Sequence, residues 1–171
     1  MRKIAVFGSA FNPPSLGHKS VLQSLSHFDL VLIVPSIAHA WGKTMLNYEK
    51  RCEMVQLFIN DVQLPNLELS TVEKDLFQPN ESVTTYQVLK KTQENHPDAD
   101  ITFVLGPDNF VNFSKFFKAE HILSTWSVLA CPEKIAIRST DIRNALEQGA
   151  PISHLTTTSV ARYLMENQLY R

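Results

Sequence analysis

Glycine is scarce in this chain: five in 171 residues, at positions 8, 17, 42, 106 and 149. There is no GxGxxG run and no Walker A sequence, so the two commonest glycine-rich phosphate cradles are absent. Cysteine is scarcer still. Cys52 and Cys131 lie far apart, form no CxxC pair and sit in apolar settings, which reads as two buried, reduced, structural thiols. No histidine–carboxylate spacing suggests a protein-bound metal. No stretch reaches the roughly 18 apolar residues of a membrane span. The apolar run after Met1-Arg2-Lys3 breaks at Gly8-Ser9, too short for a signal peptide, so the expected location is the cytoplasm. The formal net charge is −1 and there is no basic run, which argues against nucleic acid as a partner. Basic residues must act locally, at a few phosphates.

What remains is an ordinary globular composition, 44% hydrophobic and 19% charged, of a length that fits one domain spanning residues 1–171. Apolar runs at 3–7, 29–35, 67–71, 101–105 and 126–131 read as strands. Helical spacing follows Ser15, covers 48–59, runs from a cap at Thr84 or Thr85 to about Asn95, and extends over Phe110 to Leu123. Two more helices close the chain at roughly 140–148 and 157–167, and residues 73–82 read as a polar loop. This alternation predicts an α/β, Rossmann-like fold: about five parallel strands in the order 3-2-1-4-5, with helices on both faces. Strands one and four are then neighbours where the winding reverses, and ligands bind in that crevice. Four of the five glycines fall in loops at this end.

The loop Gly8-Ser9-Ala10-Phe11-Asn12-Pro13-Pro14-Ser15-Leu16-Gly17-His18 joins the first strand to the first helix. It places a hydroxyl and an imidazole, Ser15 and His18, three residues apart at a helix start. There, unpaired N–H groups and the helix dipole favour an anion. Ser15 reads equally as the helix cap.

These residues resemble the (H/T)xGH signature of the nucleotidyltransferase superfamily. Ile137-Arg138-Ser139-Thr140-Asp141-Ile142-Arg143 is similar to that superfamily's ISxTxxR element. Trp41-Gly42-Lys43 with Arg51, Gly106-Pro107-Asp108 and the C-terminal Asn167-x-Leu169-Tyr170-Arg171 are similar to the nicotinamide/nicotinate mononucleotide adenylyltransferases. The resemblance runs nearly end to end.

It implies transfer of AMP from ATP to a pyridine mononucleotide. His18 and Ser15 would hold the α-phosphate, the latter in place of the family's His or Thr. His18 is expected as an imidazolium. Gly8, Ser9, Phe11, Gly106 and Asp108 would bind ATP, with Ser139, Thr140 and Arg143 at its β- and γ-phosphates. Lys43 would bind phosphate, as would Arg138, which stands where most relatives have a small residue. Trp41, Thr85 and Phe116 would surround the acceptor's ring, Phe116 replacing a usual Trp. Mg²⁺ would ride on the ATP phosphates. The 131–135 connection is shorter than in many relatives, which leaves the adenine lid and any homo-oligomer contact open. So are the roles of His39 and Arg51, and the choice between acid and amide acceptors. The alternatives are a phosphopantetheine adenylyltransferase, a cytidylyltransferase, or a degenerate nucleotide-binding sensor.

Overall fold

A computed structural model describes residues 1–38 and 44–171. Trp41 and Lys43, with His39, lie outside the described residues.

The strands are β1 (Lys3–Ser9), β2 (Leu30–Pro35), β3 (Leu67–Leu69), β4 (Asp100–Leu105) and β5 (Ser127–Ala130). All pair in parallel, in the order β3-β2-β1-β4-β5. Alternate residues of each strand enter different cores, and this is why the central strands are apolar throughout. From β1, Ala5 and Phe7 pack on one side of the sheet; Ile4 and Val6 pack on the other. Burying each of the larger ones, Phe7, Ile4 and Val6, contributes roughly 1.5–3 kcal/mol.

The helices are α1 (Leu16–Gln23), α2 (Tyr48–Val62), α3 (Val72–Leu76), α4 (Thr85–Asn95), α5 (Pro107–Val111), α6 (Ala119–Thr125), α7 (Ser139–Glu147) and α8 (Thr158–Glu166). The first core takes Leu22, Phe58, Ile142 and Leu164, from α1, α2, α7 and α8. The second takes Val72, Leu89 and Ile122, from α3, α4 and α6. Helices therefore cover both faces, as expected.

Two segments differ from the sequence reading. The polar loop expected at 73–82 begins as α3, because Val72 and Glu73 turn inward and are buried. The single helical region expected from Phe110 to Leu123 is broken into α5, a 3₁₀ turn at Phe113–Lys115 and α6. Phe116 is extended and Lys118 takes a left-handed φ of 56° just before α6. The C-terminal ends of β1 and β4 lie side by side, leading into Gly8-Ser9 and Gly106.

Candidate active site

A cleft of about 390 Å³ opens at that end of the sheet. Gly8 and Ser9 line it from β1, Gly106 from the end of β4 and Asp108 from α5, His18 from α1 with its cap Ser15, and Ser139 and Thr140 from α7 with its cap Arg138. The topology thus brings together nine of the residues expected there.

The two signature loops are locked to each other. Ser139 Oγ donates to Pro13 O at 2.6 Å, and Arg143 Nη1 donates to Asn12 O at 2.8 Å. Thr156 Oγ1 donates to Pro14 O at 2.8 Å, and Leu16 N–H to Leu155 O at 3.0 Å. Where α1 passes residue 137 there is no space for a side chain, and Gly17 fills the position.

Ser15 is the N-cap of α1. Its Oγ accepts the His18 N–H at 3.3 Å and donates to Ile137 O at 3.2 Å. At 1% exposure the hydroxyl caps the helix, and it also lies 3.1 Å from His18 Nδ1. Ser15 thus lies under His18 and, as expected from the sequence, at the cleft.

The His18 ring is fixed at both nitrogens. Ser15 N–H donates to Nδ1 at 3.0 Å, so Nδ1 is an acceptor and the ring proton sits on Nε2, 3.2 Å from Ser9 Oγ. Burial pushes the pKa down to about 4. Protonating Nδ1 would also set N–H against N–H and break the capping box. Burial and the Ser15 bond both favour a neutral imidazole with an Nε2–H donor over the expected imidazolium. Its ring packs on Phe11, centroids 4.6 Å apart. Phe11 is 0% exposed, so its ring supports the histidine.

Arg138 crosses the cleft. Its Nη1 lies 2.7 Å from Asp108 Oδ2, and its Nε 3.6 Å from Glu133 Oε2. Two residues expected as ligands are thus each other's partners in this state. Arg143 lies just behind the cleft, its Nη2 also donating to Thr140 Oγ1 at 3.1 Å. Thr85 begins α4 on the far side of the sheet, and Phe116 packs against Phe103 and Phe113. Neither lines this cleft; Phe116 is partly buried against the second core. Among the described residues, no group of three or more His, Cys, Asp and Glu side chains is placed to hold a metal ion.

The sequence reading missed Glu133 and Asn109, which line the cleft. Neither stands in a signature, so no pattern marked them. It also left Arg51 open. Arg51 is 1% exposed and bonded to the carbonyls of Leu46, Ala10 and Ser36 at 2.7, 2.8 and 2.7 Å, so it is part of the framework.

Residues 6–145 match the profile of the cytidylyltransferase-like family. The chain belongs to that family. A solved structure from Vibrio parahaemolyticus, named a "putative nicotinate-nucleotide adenylyltransferase", is 57% identical with a TM-score of 0.91. The match covers 100% of this chain and 96% of that one. A relative named for the same activity from Hydrogenovibrio crunogenus is 26% identical, over 99% of this chain and 98% of its own length. The nicotinic acid mononucleotide adenylyltransferase of Plasmodium falciparum, solved with NaAD, is 20% identical with a TM-score of 0.80 and supports the fold alone. The family's members named here are nucleotidyltransferases of pyridine nucleotide synthesis. No helix among the described residues is long and apolar enough to cross a membrane.

Proposed function

We propose that this protein is a nicotinate-nucleotide adenylyltransferase: ATP and nicotinate mononucleotide give the dinucleotide and pyrophosphate. The supporting observation is that both signature loops meet at one cleft, with the His18 Nε2–H facing it, in a chain 57% identical end to end to a protein of that name. That name, and those of the curated relatives, favour the acid over the amide, which the sequence alone left open.

The acceptor's phosphate monoester is an anion near neutral pH and attacks the α-phosphorus without a general base. Catalysis then rests on placement and on charge stabilisation. His18 donates its Nε2–H to an α-phosphate oxygen. The α7 N-terminus, Ser139, Thr140 and Arg143 secure the leaving pyrophosphate, with Lys43 contributing phosphate binding. Arg138 exchanges Asp108 for a phosphate oxygen, and Asp108 is then available to a ribose hydroxyl. Gly8, Ser9 and Gly106 let the nucleotide approach backbone. Trp41 supplies the flat contact for the pyridine ring.

Mg²⁺, as part of the MgATP substrate, would shield the phosphate charge. Before nucleotide binds, Asp108 and Glu133 are both paired with Arg138, which fits an ion carried by the substrate rather than one held by the protein.

Pyrophosphate release from MgATP, with nicotinate mononucleotide, nicotinamide mononucleotide and phosphopantetheine supplied separately, tests the proposal. Turnover is expected with nicotinate mononucleotide at the highest kcat/KM. Turnover with phosphopantetheine alone would overturn the acceptor.

A further inference from the structure

Arg51 and Tyr170 lie outside the cleft, yet both are bonded to the loop that carries His18. Arg51 Nη1 donates to Ala10 O at 2.8 Å. Two residues further on, Asn12 is pinned three ways. Its Oδ1 accepts the Leu46 N–H at 3.2 Å and the Tyr170 hydroxyl, and its carbonyl accepts from Arg143. Burial raises the Tyr170 pKa, so this hydroxyl keeps its proton and donates.

Phe11 sits between the two pinned residues with φ of 48°. A bulky residue pays strain in that region, and such a conformation persists only where its surroundings impose it. Here the bonds at Ala10 and Asn12 do so. They press the Phe11 ring, edge-on to Phe7 at 5.8 Å, against the imidazole of His18.

We infer that Arg51 and Tyr170 are positioning residues for His18, acting through Ala10, Asn12 and the strained Phe11. Ser15 fixes the imidazole from the Nδ1 side; Phe11 fixes the face of the ring. Releasing either pin lets Phe11 relax toward ordinary φ and turns the ring away from Nε2–H donation. A donor displaced by an ångström forfeits much of its effect on rate.

This inference rests on the proposed part of His18 in the reaction, so two independent readouts are needed. Tyr170→Phe removes one hydroxyl; Arg51→Lys keeps the charge but loses the planar fork. Tyr170→Phe is expected to lower kcat about tenfold, with both KM values within about twofold. In a His18→Ala background the same substitution should change kcat less than about twofold, because its route of action is gone. The imidazole ¹⁵N resonances of His18, assigned by their loss in His18→Ala, should shift in Tyr170→Phe and Arg51→Lys. An unchanged kcat, an equal effect in both backgrounds, or unmoved His18 resonances would overturn the inference. Should Arg51→Lys fail to fold, Tyr170→Phe decides. Should the protein transfer no adenylyl group at all, the resonances still decide, and the two failures stay distinct.

Discussion

A Cβ on Gly17 would stand 2.1 Å from the carbonyl oxygen of Ile137. Both partners are backbone, so neither can swing aside. The (H/T)xGH glycine is therefore the contact by which one signature loop seats the other, and no special φ is involved. Gly17→Ala must push α1 away from residue 137, straining the Ser15 bond to the same carbonyl. Overpacking of this kind costs typically about 1–3 kcal/mol. For a chain of this size that is a fall in Tm of roughly 3–10 °C, measurable by scanning calorimetry. An unchanged Tm would mean the two loops are not in this contact.

Glu73 carries a second prediction, in pH. It is buried, and desolvation pushes its pKa up to about 7 against the pull of the Ile37 N–H and of Arg51. A carboxyl raised on folding gives stability that is full below its unfolded value, near 4.5, and is lost as pH rises through about 7. Glu73→Gln removes that loss. Denaturation midpoints should show the variant close to wild type at pH 5 and more stable at pH 8, by up to roughly 3 kcal/mol. Parallel midpoints across that range would contradict it.

The strands were legible because burial on both faces writes itself as unbroken apolar runs, as in Leu30–Pro35. His18 and Gly106 were legible as members of signatures. What could not be read were side chains whose partners are main-chain atoms far along the sequence. Arg51 answers to Ala10, 41 residues away, and nothing in its neighbours says so. Arg138 meets Asp108 across 30 residues, so each was read as a free ligand residue. The turn at Lys118 was invisible for a different reason: a lysine in left-handed φ carries no glycine or asparagine to mark it.

The Arg138–Asp108 pair is half-exposed on one side and more so on the other, so it adds little to stability. Arg138→Ser should leave stability within about 0.5 kcal/mol. If Arg138 transfers to a phosphate when ATP binds, the variant's KM for ATP should rise several-fold at low ionic strength. That difference should shrink in high salt, where exposed charges are screened. Equal KM values at low salt would confine Arg138 to its ion pair.

The pH dependence of kcat/KM for the mononucleotide should have its acid limb near pH 6, where a phosphate monoester takes up its second proton. His18, with a pKa lowered to about 4 by burial, is already neutral there. The limb should thus survive in His18→Asn, which keeps a side-chain N–H donor. Loss of the limb in that variant would reassign it to the histidine.

The most direct test of the account is single-turnover adenylyl transfer by His18→Ala, measured beside equilibrium binding of ATP. A neutral Nε2–H that meets the α-phosphate as charge redistributes acts in the transition state more than in the ground state. Removal of one such donor costs about 10²–10³ in rate. A loss on that scale is expected with ATP affinity nearly unchanged, and partial recovery in His18→Asn. A His18→Ala enzyme that turns over at the wild-type rate, or one whose loss lies wholly in ATP binding, would contradict it.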